Sequence, residues 1–290
     1  MKTAPIVVVT GANSGIGAAA CRQLVQAGAQ VVMVSRSRER GEAARAEIAR
    51  QTGREPDLLL ADLSLQDSIR MLADEYRRRY ARLDVLINNA GAFGAAVRKR
   101  TFTPEGFETI FATNHLGPFL LTTLLLDLLC ASAPSRVLNV SSEGLRMFPK
   151  LHLEPDNLNG ERSYSRTHAY YHSKLAQVMF TLELADRLRS ACVTSNCIRV
   201  TNVALERSRV DAFPWYGRLM YRLKRRFSIT PERMAGAYAR LALAPEFTAI
   251  TGTHFDEHCR EVAIPAGAQK AETRNRLWRI SERLTRVSVG

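Results

Sequence analysis

No apolar run in this 290-residue chain approaches the ~20 residues that a bilayer-spanning helix needs. The longest, Phe119 to Cys130, is interrupted by Asp127 and reads as a buried helix. Cysteine is sparse: Cys21, Cys130, Cys192, Cys197 and Cys259 are odd in number, scattered and without paired metal-ligand spacing, which argues against a disulfide framework and fits reduced thiols. No Ser/Gly- or Pro-rich linker and no fixed-period repeat divides the chain, so a single domain over residues 1–290 is expected. Acidic residues are outnumbered, 28 against 41 basic, for a net charge of +13. The basic residues are dispersed and no common nucleic-acid motif is present, so the excess reads as a solvated Arg-rich surface, with no nucleic acid as partner. At the start, Ile6 to Val9 is too short for the apolar core of a signal peptide and no cleavage-like site follows, so the expected location is the cytoplasm.

What is present is a regular alternation. Short runs rich in β-branched residues occur at 6–10, 30–35, 57–61, 84–88, 135–141, 193–198 and 251–255. Amphipathic stretches separate them near 15–27, 39–51, 66–80, 105–131 (broken around Asn114), 168–189, 230–244 and 267–286. Such alternation predicts an α/β fold, a Rossmann-type doubly wound parallel sheet of about seven strands with helices on both faces. Right-handed crossovers then bring the loops after the strands' C-terminal ends to one edge, where a ligand site belongs. Residues 1–140 read as mainly nucleotide-binding, and 141–290 as carrying the chemistry.

The first predicted strand runs into Thr10-Gly11-Ala12-Asn13-Ser14-Gly15-Ile16-Gly17, followed by a helix. Strand, glycine turn and helix N-terminus are the setting in which backbone N–H groups cradle a diphosphate. Gly11 permits the tight turn, Gly15 removes a side chain where the ligand approaches, and Gly17 lets the helix pack close to the sheet. Gly11, Asn13, Ser14, Gly15, Ile16 and Gly17 are therefore candidate cofactor-binding residues.

The spacing Gly-x3-Gly-x-Gly resembles the fingerprint of the short-chain dehydrogenase/reductase family, and motifs along nearly the whole chain extend the resemblance. Asp62 and Leu63 follow the third strand, where the family contacts adenine, and Asn89-Ala90-Gly91 closes the fourth in the family's adenosine-lining segment. Asn114 stands in Thr-Asn-His-Leu-Gly, Ser142 ends the fifth strand, and Tyr170-x3-Lys174 opens a helix. The phrasing around Asn114-His115-Leu116-Gly117, Ser132 to Val137, Tyr170 to Ala176 and Gly252 to Phe255 is similar to the retinol-dehydrogenase-like branch.

The resemblance implies hydride transfer between a nicotinamide and an alcohol/carbonyl pair, with Asn114, Ser142, Tyr170 and Lys174 as catalytic residues. A carbonyl gaining hydride needs a proton as charge grows on its oxygen. Tyr170 is the candidate donor, and Lys174, one helical turn on, is expected to stabilise its phenolate and lower its pKa. By the resemblance, Lys174 also binds the nicotinamide ribose, Ser142 rather than its neighbour Ser141 aligns the substrate oxygen, and Asn114 holds a relay water. Tyr164 and Tyr171 are expected to pack beside the site.

After the second strand, Ser35-Arg36-Ser37-Arg38 offers no carboxylate for a ribose 2′-hydroxyl. Arg36, with Ser35 and Arg38 assisting, instead suits a 2′-phosphate, so NADP(H) is the expected cofactor. After the sixth strand the family's Pro-Gly is missing: the segment reads Arg199-Val200-Thr201-Asn202-Val203, with Val203 still expected to line the cofactor. Neither Val200 nor Thr201 reproduces proline's fixed φ or glycine's tolerance of positive φ, so a different backbone path is expected there.

A lid of about 203–229 follows, its Leu205–Ser228 stretch mixing aromatics with arginines. That composition favours a lid over a bulky apolar substrate, and peripheral contact with a membrane surface is the lesser alternative. His254 to Cys259 has the composition of a metal site, but this family needs no catalytic metal, and none is expected. Homo-oligomerisation is open, because Leu124, Leu125, Leu128 and Leu129 suit either an interface or the core. The leading expectation is a reductase or dehydrogenase of a bulky apolar compound. The alternatives are a cyclase or epimerase of the same fold, and a nucleotide-binding regulatory protein that has lost turnover.

Overall fold

Strand β1 (Ile6–Thr10) sends Val7 and Val9 to one face and Val8 to the other, and all three are buried, the mark of a strand covered on both sides. Val7 and Val9 pack with Leu24, Met33 and Tyr238, while Val8 packs with Val32, Leu86, Leu120 and Phe180. The computed structural model describes residues 4–93, 100–204 and 228–288. In chain order the elements are β1, α1 (Gly15–Gln26), β2 (Gln30–Ser35), α2 (Arg38–Thr52), β3 (Asp57–Leu60), α3 (Gln66–Arg79) and β4 (Val85–Asn88). After a helical interruption described below come α4 (Gly117–Leu124), α5 (Leu126–Ala131), β5 (Ser135–Ser142), α6 (Arg166–Arg187), β6 (Val193–Val200), α7 (Pro231–Leu243), β7 (His254–Phe255) and α8 (Ala271–Thr285).

The seven strands are parallel, in the order β3-β2-β1-β4-β5-β6-β7. The order reverses between β1 and β4, which opens the crevice where ligands of doubly wound sheets bind. Thr10, Asn88, Ser142 and Val200 are the last residues of β1, β4, β5 and β6, so the loops they feed share one edge.

The helix expected over 105–131 starts later and is split. Glu108 caps it, its carboxylate accepting from Phe111 N at 2.8 Å. One turn (Thr109–Phe111) widens into a π-helical turn (Ala112–Leu116) before α4, and the axis steps again at Leu125 into α5. Leu125 and Leu129 are buried in the core, with Leu124 and Leu128 packed against it. α8 buttresses α6 from behind: Trp278 packs on Phe119 and Phe180, and His115 Nε2 lies 2.8 Å from Ser281 Oγ. Among the described residues no helix is long and apolar enough to cross a membrane.

Candidate active site

The glycine turn after β1 is built by close approach. Gly11 has φ +65° and Gly15 φ +55°, conformations that favour glycine. A Cβ on Gly17 would collide with the carbonyl oxygen of Gly11, so only glycine lets α1 start this near the sheet. Asn89 locks the turn from β4, its Nδ2 donating to Thr10 O at 2.8 Å and Gly11 O at 3.3 Å, while Ala90 N donates to Thr10 Oγ1 at 3.0 Å. Ala12 N donates to Val34 O at 3.1 Å, tying the turn to β2 as well. The space above Gly15 is open, since a Cβ there would meet nothing within 4 Å. Asn13, Ser14 and Ile16 ring that opening, all half-buried.

At the end of β2, Arg36 is 68% exposed and 3.6 Å from Asp62 Oδ2. Asp62 Oδ1 accepts from Ser64 N and Ser64 Oγ, and Leu63 is buried beneath it. Ser35 does not assist Arg36 as expected: it is buried and its hydroxyl donates to Ser37 O at 2.9 Å. Arg38 is exposed in the first turn of α2.

The four expected catalytic residues converge. α6 starts at Ser165, whose side chain accepts from His168 N at 3.1 Å, and so places Tyr170 and Lys174 on its first turns. Ser142 Oγ accepts from Gly144 N at 3.2 Å and is near enough to the Tyr170 phenol to act on its pKa. Ser141 turns the other way, buried, with its hydroxyl 3.5 Å from Lys174 O. Asn114 is fully buried in the π-helical turn: Oδ1 accepts from Ala92 N at 2.6 Å, and Nδ2 donates to Ala92 O at 3.1 Å and Ser173 Oγ at 3.0 Å. The Asn114 carbonyl, released from regular helical bonding, receives Gln177 Nε2. Gly91 closes the group, its would-be Cβ 3.4 Å from Lys174 Nζ and 3.5 Å from Asn114 Oδ1.

The electrostatics differ from expectation. Burial pushes the Tyr170 phenol up to about 12, against the lowering effect of the Ser142 hydrogen bond. Burial of the phenol outweighs the lowering expected from Lys174, and the lysine is itself pulled down to about 8 by burial. Its Nζ donates to Val140 O at 2.9 Å and stands 5.9 Å from the Tyr170 ring centre. Phe93 covers the phenol at 4.3 Å between ring centres. Tyr171 packs on Tyr170 and on Phe148, and Tyr164 donates to Glu108 Oε1 at 3.2 Å.

Beyond β6 the chain needs no left-handed residue: Thr201 is not among the residues with positive φ. Val203 pairs with Ile229, Ile229 N donates to Asn202 O, and Ala204 N to Ile229 O, both at 2.9 Å. These contacts join the two flanks of the expected lid, whose residues 205–227, including the aromatic-basic stretch, lie outside the described residues. In the turn after β7, Asp256 accepts from His258 N at 2.9 Å and Arg260 N at 3.0 Å and pairs with the Arg260 guanidinium, which closes the turn.

The short chain dehydrogenase family model matches residues 5–151. The chain is 40% identical over 277 residues to human retinol dehydrogenase 11, covering 95% of this chain and 84% of that protein. Among solved structures, a protein of Mycobacterium paratuberculosis superposes with a TM-score of 0.74 at 30% identity, over 99% of this chain and 95% of that one. A short chain dehydrogenase of Shigella flexneri complexed with NADP does so with a TM-score of 0.68 at 26% identity, over 88% and 97%. The chain is a short-chain dehydrogenase/reductase of the retinol-dehydrogenase-like branch.

Members of this family bind a nicotinamide nucleotide, and the residues here fit one. The open space over Gly15 at a helix N-terminus suits the diphosphate, and Gly91, whose missing side chain leaves room beside Lys174 Nζ and Asn114 Oδ1, follows β4 at the same sheet edge. The motifs of this short-chain dehydrogenase/reductase do not point to Phe93 or Gln177. Phe93 stands two residues past the Asn-Asn-Ala-Gly segment and was visible as an aromatic beside a motif. Gln177 carries no such signal.

Proposed function

We infer that the protein is an NADP(H)-dependent oxidoreductase that interconverts a carbonyl and an alcohol on a bulky apolar substrate. The observation that carries this reading is the Tyr170 phenol, one helical turn from a buried Lys174, covered by Phe93 and under the electrostatic influence of Ser142 at the end of β5. When bound, the nicotinamide supplies or accepts the hydride. Ser142 Oγ orients the substrate oxygen and Tyr170 Oη gives it a proton or takes one away. With its phenol near 12, Tyr170 is protonated at neutral pH and can donate to an oxygen that gains negative charge. Lys174, near 8, is mostly charged at pH 7 and supports the anion that Tyr170 leaves behind. Asn114, clamped by Ala92 and Ser173, holds the helices around the tetrad in register.

The apolar character of the substrate is supported by the rim. Phe93 (62% exposed), Met147 (68%) and Phe148 (37%) are large side chains left in solvent, with Phe93 stacked on Tyr170 and Phe148 on Tyr171. For the cofactor, Arg36 is exposed at the end of β2 and suits a 2′-phosphate. Following NADPH absorbance against a panel of bulky ketones and aldehydes, with Tyr170→Phe as control, tests the reading. Tight NADPH binding with no oxidation by any carbonyl counts against it.

A further inference from the structure

Ser142 and Val200 form the last rung of the β5–β6 ladder. One residue further, side chains continue the pairing that the backbone has ended. Thr201 Oγ1 donates to Glu143 Oε2 at 2.5 Å, and Arg199 places its guanidinium 3.9 Å from Glu143 Oε1. Arg146 approaches the same oxygen at 3.5 Å. Arg199 and Thr201 are two residues apart and reach the same carboxylate. The Arg199 side chain is 15% exposed, and its Nε has no partner among the described residues. A cation this enclosed needs its counter-charge, and Glu143 is the carboxylate paired with it. On the far side of the segment, Asn202 Nδ2 donates to Ser228 Oγ at 2.8 Å.

This linkage occupies the place where the family's Pro-Gly would stand. Proline restrains a turn covalently; here a charged, hydrogen-bonded brace between two strand ends does so. Glu143 directly follows Ser142, and the N–H that Ser142 Oγ accepts from belongs to Gly144, on the other side of Glu143. Any shift of Glu143 therefore moves Ser142 and its hydrogen-bond donor together.

We propose that Glu143 is a positioning residue: braced by Thr201 and Arg199, it fixes the turn after β6 against the end of β5, setting Ser142 for the substrate oxygen and residues 201–203 for the nicotinamide nucleotide. The proposal rests on the oxidoreductase reading above. It replaces a backbone constraint by a side-chain one, so removing a single hydroxyl loosens both partners of the reaction at once.

The experiment compares Thr201→Val, which keeps the shape and removes the donor, with Thr201→Ser, which restores it, and with Glu143→Gln, which keeps an acceptor and removes the charge. The readouts are the NADPH dissociation constant from nucleotide fluorescence, kcat and KM for a carbonyl substrate, and the melting temperature. In Thr201→Val, kcat falls about tenfold and the NADPH dissociation constant rises about tenfold, the equivalent of one lost hydrogen bond to a charged group. Thr201→Ser returns both to within about twofold of the parent, and Glu143→Gln falls between the two. A melting temperature that drops in Thr201→Val while kcat and NADPH affinity stay within about twofold makes the brace merely structural and overturns the proposal. If Thr201→Val does not fold, Glu143→Gln decides by the same two quantities. A parent protein that binds NADPH and reduces no carbonyl removes the oxidoreductase reading, and the brace then stands or falls on the dissociation constants alone.

Discussion

Lys174 and Tyr170 lie one turn apart on α6, yet the ammonium is directed at the Val140 carbonyl, 2.9 Å away, and sits 5.9 Å from the centre of the phenol ring. The lysine is thus held by the end of β5 while the tyrosine packs between Phe93 and Tyr171, and burial sets the resting charge of both. The pair is a neutral donor beside a weakened cation, which suits proton delivery to a nascent alkoxide.

From this arrangement, Tyr170→Phe removes the proton donor and leaves the walls of the site in place. Carbonyl reduction falls by about 10² to 10⁴, the span of a lost general acid, with NADPH affinity little changed. In the parent, reduction declines as pH rises through about 8, where Lys174 loses its charge. A rate that is flat from pH 7 to 10 sinks the role given to Lys174.

Lys174 also makes a prediction about stability. Its pKa is about 8 when folded and 10.5 as the reference value, so between these limits the unfolded chain binds more protons. The burial penalty is complete below pH 8 and disappears as pH rises to 10.5, a gain of about 3 kcal/mol for the parent. Lys174→Met lacks this gain. Denaturant unfolding of both proteins across pH 7 to 10.5 checks it: the parent's stability rises relative to the variant's, and parallel curves refute the buried-cation account.

The helical spacing of Tyr170 and Lys174 is legible in the sequence and the pKa of Tyr170 is not, and the difference is a matter of range. The seven strands announced themselves through local runs of β-branched residues, such as Ile6 to Val9 and Val31 to Val34, and the Tyr-x3-Lys spacing is fixed by helix geometry. The phenol's pKa depends on burial by residues distant along the chain, and Phe93 is one that packs on it. The split near Asn114 was visible as a break, but its π-helical form depends on the carbonyl taken by Gln177, an interaction across 63 residues. The brace of Glu143 by Thr201 spans 58 residues and joins types that ordinarily pass as surface. Local chemistry was legible; long-range desolvation and pairing were not.

Arg36 carries the cofactor choice. Its contact with Asp62 is long and solvent-exposed, worth little, so the guanidinium can turn to a phosphate without much loss. Arg36→Ala weakens NADPH binding by about 10- to 100-fold, as expected for removing a charge-assisted contact, and leaves NADH binding nearly as it was. Titrating both nucleotides into parent and variant measures the ratio. An unaltered NADPH/NADH preference assigns the selectivity elsewhere.

The apolar rim separates two effects that one residue combines. Met147 is exposed at the end of the 3-10 turn that follows Ser142, whereas Phe93 stacks on the phenol itself. Met147→Ser therefore removes apolar contact for the substrate alone, raising KM for a bulky carbonyl by roughly tenfold at the scale of one buried side chain. A small ketone, too short to reach the rim, keeps its KM in that variant. Phe93→Ser does the same to the bulky substrate and in addition admits water to Tyr170. The phenol, now at about 12 chiefly through burial, falls toward its ordinary value of 10. The alkaline limb that reports Tyr170 in the alcohol-oxidation direction then shifts to lower pH in Phe93→Ser and stays put in Met147→Ser. Equal KM changes for small and bulky substrates, or the same pH profile in both variants, would show that the rim neither selects the substrate nor sets the tyrosine.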